Sequence, residues 1–220
     1  MPPSSNTPFI VSILDTGLDA THPAFSQAHI LPQIEINDQL EIEENEPHDP
    51  AGHGTAVAGL IHQICPEATL LPVRVLSSNL RQSRHDIIRA GALAALAHQA
   101  NILNCSFGVP ATPRTALIYK NWIDRAFDSQ VEVVAADQNI PDISEWPCDF
   151  RSTYAIANPE APLTESVVPS TRPMAFLTPG NKVKVPTPGG SYAHLTGCSF
   201  SAAQFSGHLA RKLMNAKKQR

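Results

Sequence analysis

Phe9-Ile10-Val11-Ser12-Ile13-Leu14, followed at once by Asp15-Thr16-Gly17, is the stretch from which the rest of the chain is read. The run is nearly all apolar and rich in Cβ-branched residues. It does not alternate between apolar and polar, so it reads as a strand buried on both faces. Such strands belong to parallel sheets, where helical crossovers cover the two sides. The segments that follow supply those crossovers. A helix is predicted from near His53 through Val57, Leu60 and Ile61, and then a strand over Leu70–Leu76. Ser83-Arg84-His85-Asp86 reads as a capping box ahead of Ile87, Ala90, Leu93, Ala94 and Ala97 at helical spacing. Next come a strand over Ile102–Ser106, a helix over Thr115–Phe127 and a strand over Val131–Ala136. Weaker strands are expected at Thr153–Ala157 and Met174–Leu177, and a helix from about Ser199 to Asn215. Strands alternating with helices imply an α/β fold built on a mostly parallel sheet covered on both faces. In such sheets, sites gather at the carboxyl ends of the strands.

Composition sets the outer limits. The chain has 220 residues, 42% of them hydrophobic and 16% charged, which fits one globular domain rather than a disordered chain. We divide it into an N-terminal extension (1–8), a single domain (9–216) and a short basic tail (217–220). Sixteen Lys and Arg against twenty Asp and Glu give a net charge of −4, so no basic field invites nucleic acid. No apolar run reaches the length of a membrane span. The N-terminus, Met1-Pro2-Pro3-Ser4-Ser5-Asn6-Thr7-Pro8, lacks the charged and apolar regions of a secretory signal, so a cytoplasmic location is expected. Cys65, Cys105, Cys148 and Cys198 are scattered, with no Cys-x-x-Cys pair, and read as reduced, mostly buried thiols. Neither a metal nor a cofactor is expected.

Three polar residues stand at strand ends or helix starts. Asp15 alone would be a turn former. His53, in Gly52-His53-Gly54-Thr55-Ala56-Val57-Ala58-Gly59, would alone be a structural histidine. Ser199, in Gly197-Cys198-Ser199-Phe200-Ser201-Ala202, would alone be an N-cap. Together they have a chemical logic. A serine hydroxyl needs a base to take its proton, imidazole has the right pKa for that task, and a carboxylate fixes the imidazole tautomer. A helix N-terminus also favours a developing oxyanion.

The order Asp, His, Ser and the blocks around these residues resemble the subtilisin-like serine peptidases, the subtilases. Val11–Pro23 is similar to the family's Asp motif, Gly52–Gly59 to its His motif and Gly197–Ala202 to its Ser motif. Ile102-Leu103-Asn104-Cys105-Ser106-Phe107-Gly108 resembles the strand that pairs with bound substrate. Val133-Val134-Ala135-Ala136-Asp137-Gln138-Asn139 resembles the strand leading to the oxyanion-hole Asn. The resemblance implies a three-layer α/β/α sandwich and a triad of Asp15, His53 and Ser199. It also implies an oxyanion hole made by the Asn139 side chain and the Ser199 backbone N–H. Substrate would meet Ser106, Phe107, Gly108, Asp137, Gln138 and Glu145.

The chain departs from the family pattern at several points. Cys198 stands for the usual Thr, Ala56 for a frequent His, Ala203-Gln204 where a Pro is usual, and Gln138 for the Gly before the oxyanion Asn. The sequence opens on the first core strand without the family's pro-segment, so a partner protein or narrow specificity is expected to restrain activity. Two classes of function follow: a serine endopeptidase acting on a polypeptide, such as a precursor peptide, or a pseudoenzyme of the same fold that binds peptides or scaffolds a complex. A third reading makes Cys198 the nucleophile. Trp146-Pro147-Cys148-Asp149-Phe150-Arg151 resembles the family's aromatic-Pro block. Glu145 is accordingly read in two ways: as the base of the P1 pocket, favouring Lys or Arg, or as an exposed loop residue.

Overall fold

The computed structural model describes residues 7–77, 84–138, 143–163 and 165–219. The strands are β1 (Ile10–Asp15), β2 (Gln33–Ile36), β3 (Ile42–Asn45), β4 (Thr69–Arg74), β5 (Ile102–Cys105), β6 (Val109–Pro110), β7 (Glu132–Asp137), β8 (Glu145–Trp146), β9 (Thr153–Ala157), β10 (Val168–Pro169), β11 (Ala175–Leu177), β12 (Val183–Thr187) and β13 (Ser191–Leu195). The helices are α1 (His53–Ile64), α2 (His85–Ala97), α3 (Pro113–Asp128) and α4 (Cys198–Lys218). A sheet in the order β10-β11-β9-β7-β5-β1-β4-β2-β3 runs through the middle. Its pairings are parallel except at the two rims, β2 with β3 and β10 with β11. β12 and β13 form a separate antiparallel hairpin, as do β6 and β8.

β1 sits between β4 and β5. Its side chains alternate between two cores, as the period of a strand requires. Ile10 and Leu14 pack with Ile88 and Ala92 of α2 and with Tyr119 and Trp122 of α3. Val11 and Ile13 pack with Val57 and Ile61 of α1 and with Ala202 and Phe205 of α4. The architecture is therefore α2 and α3 on one face, the sheet, and α1 and α4 on the other. Each fully buried side chain of this size contributes roughly 1.5–3 kcal/mol. That is why β1 carries no outward polar face and reads as a continuous apolar run.

Several element ends differ from the sequence expectation for identifiable reasons. α3 starts at Pro113 because Thr112 caps it, in a reciprocal pair with Thr115, and Pro suits the first helical position. The capping box expected at Ser83–Asp86 falls partly outside the described residues, at Ser83. Arg84 occupies the N-cap position without a side-chain cap. The Arg84 guanidinium instead pairs with Asp38 and Asp86. α4 runs on to Lys218, past the expected end at Asn215.

Candidate active site

Asp15 is the last residue of β1 and is fully buried, while His53 opens α1 and keeps 19% of its side chain exposed. Asp15 Oδ1 accepts a hydrogen bond from the Thr16 N–H at 2.8 Å and from His53 Nδ1 at 2.7 Å. Because Nδ1 carries its proton toward a carboxylate, Nε2 is left as the basic nitrogen. Burial pushes the imidazole pKa down. The charge and hydrogen bond of Asp15, with a smaller contribution from Asp49, outweigh that and hold it above the ordinary 6.5. The two elements approach this closely because Gly54 has no side chain. A Cβ there would lie 2.1 Å from the Gly17 carbonyl oxygen and 3.1 Å from Asp15 Cβ.

Ser199 is the second residue of α4, so its N–H lies in the first turn, without an intrahelical acceptor. Phe200, next to it, places its ring 5.9 Å from the His53 ring. The Ser199 hydroxyl donates to the Ser106 carbonyl at 2.9 Å. Below it lies a buried polar chain. Ser206 Oγ donates to Asn104 Oδ1 at 2.8 Å, Asn104 Nδ2 donates to Ser106 Oγ at 2.8 Å, and Ser106 Oγ donates to the Ser199 carbonyl at 3.3 Å. The fold thus pairs Asp15 with His53 and Ser199 with Ser106, and places Phe200, next to Ser199, against the His53 ring. Cys198 is partly exposed, and burial raises its thiol pKa, the opposite of what a thiolate nucleophile requires. Asn139, the expected oxyanion donor, lies outside the described residues.

The expected substrate-contact residues form a second group beside Ser106. Glu145 is only 5% exposed, so the exposed-loop reading does not hold. Its Oε1 accepts from Gln138 Nε2 at 2.8 Å and its Oε2 from the Gln138 backbone N–H at 3.3 Å. The carboxylate lies under Gly108, where an added Cβ would sit 3.1 Å from it. Burial raises the Glu145 pKa. The Gln138 N–H opposes this, and the charges of Asp137 and Asp149 add to it. Arg172 pairs with Asp137 and, at 2.6 Å, with Asp149. Phe107 is half-buried and packs against the α2–α3 core. Asp137, Glu145 and Cys148 place one potential ligand atom each within 4.8 Å of one another. Arg172 and Gln138 already serve these acids as cation and donor, as they would in a protein-only cluster.

Asp49, Asn104, Ser206 and Arg172 were not singled out from the sequence as site residues. Asp49 left a readable trace in Asp49-Pro50-Ala51-Gly52, a side chain able to turn back on its own backbone ahead of a helix. Arg172 left none, because its partners are 35 and 23 residues away.

The sequence model of the subtilase family matches residues 6–219. The major intracellular serine protease of Bacillus subtilis (strain 168) is 29% identical over 217 residues, 91% of this chain and 66% of its own length. The intracellular serine protease of Paenibacillus polymyxa is 28% identical over 229 residues, covering 96% and 68%. The chain thus spans about two thirds of the length of these relatives. Among solved structures, the prenylagaramide maturation protease PagA superposes with a TM-score of 0.79 at 22% identity, covering 96% of this chain and 77% of its own. A mutant of the protease domain of PatA gives 0.77 at 22%, covering 96% and 81%. A match over nearly the whole sequence, on a fold with the same mostly parallel sheet, means that this chain belongs to the subtilase family of serine-type peptidases.

Proposed function

We propose that the chain is a serine endopeptidase that cleaves polypeptides through Asp15, His53 and Ser199 by way of an acyl-enzyme. The observation that carries this is the 2.7 Å contact between buried Asp15 and His53 Nδ1, which leaves Nε2 as the basic nitrogen, with the helix that starts at Cys198-Ser199 packing its Phe200 ring against the imidazole. In the resting arrangement the single Ser199 proton is given to the Ser106 carbonyl. Rotation about χ1 redirects it to His53 Nε2. The serine oxygen then attacks the scissile carbonyl, and Nε2 takes the proton. The oxyanion is held by the Ser199 N–H and by the Asn139 amide. The imidazolium returns its proton to the leaving amine, the C–N bond breaks, and water hydrolyses the ester by the same steps.

Ser106, Phe107 and Gly108 are proposed to pair with the substrate backbone. Asp137, Gln138 and Glu145 are proposed to line the pocket for the residue before the cut. Similarity to two intracellular serine proteases supports a place inside the cell. A precursor peptide as substrate, and a partner protein that restrains activity, complete the reading. Neither a cofactor nor a metal enters the proposed reaction.

The test is labelling with a fluorophosphonate probe, followed by digestion of a diverse peptide library read by mass spectrometry. Wild-type protein should label and cleave. Ser199→Ala should do neither, with a loss of about 10⁶ in kcat, the magnitude established for subtilisin. Wild-type protein that does not label would favour the peptide-binding pseudoenzyme, and turnover by purified Ser199→Ala would end the serine mechanism.

A further inference from the structure

Asp49 is a second carboxylate behind the imidazole, and it is nearly as buried as Asp15, at 8% exposed. It accepts five hydrogen bonds. Oδ1 takes the Thr16 hydroxyl at 2.8 Å, the Gly52 N–H at 2.8 Å and the Ala51 N–H at 3.1 Å. Oδ2 takes the Thr55 N–H at 2.8 Å and the Thr55 hydroxyl at 2.7 Å. Thr16 in turn accepts from the Gly54 N–H at 3.0 Å, while its own N–H is on Asp15. One carboxylate therefore binds the loop before α1, the first turn of α1 and the residue that follows Asp15. Every donor it collects lies within three residues of His53 or is the neighbour of Asp15.

We propose that Asp49 is a positioning residue for His53, clamping the first turn of α1 to the end of β1 and placing a second negative charge behind the imidazole. The inference rests on the reading of His53 as general base. The clamp addresses a specific need. His53 is the first residue of α1, where a helix frays most easily and four N–H groups lack partners. No side chain caps this helix at its N-cap, Gly52, which has φ 83°. From outside the helix Asp49 supplies the acceptor for the Thr55 N–H, and Thr16, itself held by Asp49, supplies one for the Gly54 N–H; the Asp49 charge also complements the helix dipole.

Among the described residues, the charged groups that face the imidazole are Asp15 from β1 and Asp49 from the loop before α1. On the α4 side, Phe200 and Ser199 carry no charge. Both acids favour the imidazolium, so removing the Asp49 charge lowers the pH at which His53 loses its proton. The base would then stay neutral to lower pH.

Two variants separate charge from tether. In Asp49→Asn, one oxygen and the side-chain volume remain while the charge is lost. The acid limb of kcat/KM should move to lower pH, and kcat should fall about 10- to 100-fold through misplacement of the base, with KM little changed. The His53 imidazole, followed by NMR in a Ser199→Ala background, should titrate at lower pH as well. Thr16→Val cuts the tie to β1 but keeps the charge, so kcat should fall without the limb moving, and Thr16→Ser should restore it. An unmoved limb and unmoved titration in folded Asp49→Asn would overturn the electrostatic half. Full kcat in folded Thr16→Val would overturn the clamp, and this variant decides the matter if Asp49→Asn does not fold. Wild-type protein that fails to label with fluorophosphonate is a different failure, that of the proposed function.

Discussion

Glu145→Gln is the substitution whose outcome is set most directly by the geometry. The carboxylate is 5% exposed, lies against Gly108 and is held by two hydrogen bonds from Gln138. A carboxylate has about four acceptor positions, and bonds from the described residues fill two of them. Beside it, Arg172 pairs with both Asp137 and Asp149. The charges of Asp137 and Asp149 already act against ionised Glu145. A Lys or Arg side chain entering beside Gly108 would relieve that repulsion through one or two charge-assisted hydrogen bonds. An apolar side chain would leave the charge buried and unpaired. At about 1.5–3 kcal/mol for a hydrogen bond to a charged group, the preference for Arg over Leu before the cut is on the order of 10- to 100-fold in kcat/KM. The glutamine variant loses the charge and turns an amide N–H₂ toward the donors of Gln138, so most of that preference should vanish. The assay is kcat/KM on peptides that differ only at the P1 residue. Burial raises the Glu145 pKa, so the Arg/Leu ratio should also shrink as pH falls through that raised value and the carboxyl takes a proton. Equal cleavage after Arg and Leu, unchanged in Glu145→Gln, would refute the reasoning.

Because His53 is held above its ordinary pKa of 6.5, kcat/KM should already decline on the alkaline side of that value as pH falls, and a profile flat from pH 5 to 8 would contradict it. The same shift acts on stability with the opposite sign. In a Ser199→Ala background, denaturant melts should show a stabilising contribution fully present below 6.5 and lost as pH rises through the folded pKa. Gly54→Ala should abolish labelling by fluorophosphonate, because the new methyl would meet the Gly17 carbonyl at 2.1 Å and part β1 from α1. Trp122→Ala, at a fully buried position between α3 and the sheet, should cost about 3–5 kcal/mol in a urea melt. Incubation with EDTA should leave activity largely intact, since the acids around Glu145 are served by Arg172 and Gln138.

What the sequence reveals follows from how local each signal is. β1 was legible because burial on both faces leaves no polar position to confuse its pattern. Asp15, His53 and Ser199 were legible because each sits within a short block of small residues that close packing demands. β2 and β3 were not. Gln33-Ile34-Glu35-Ile36 is only four residues long and mixes polar with apolar side chains though mostly buried, and Ile42-Glu43-Glu44-Asn45 is a polar edge strand exposed throughout. The β12–β13 hairpin lay hidden in a proline-rich segment. Pro186 stands inside a strand of this isolated two-stranded sheet, where losing one donor costs little. Around Glu145, the acids could be read from their positions. Gln138 and Arg172 became partners only through folding, since their reach across the sequence leaves no local pattern.

The packing of α4 on α1 also bears on when the proposed site can assemble. His53 follows Asp15 by 38 residues, but Ser199 comes 146 residues later still. Closing a loop of that length costs about 4 kcal/mol of chain entropy, recovered only when Phe200, Ala202 and Phe205 seat against Val57 and Ile61. A nascent, nicked or partly folded chain therefore keeps the proposed nucleophile, Ser199, apart from the proposed base, His53. Proteolytic competence would then be among the last properties acquired in folding and among the first lost when the closing helix lifts away, sparing the protein's own unfolded copies from one another.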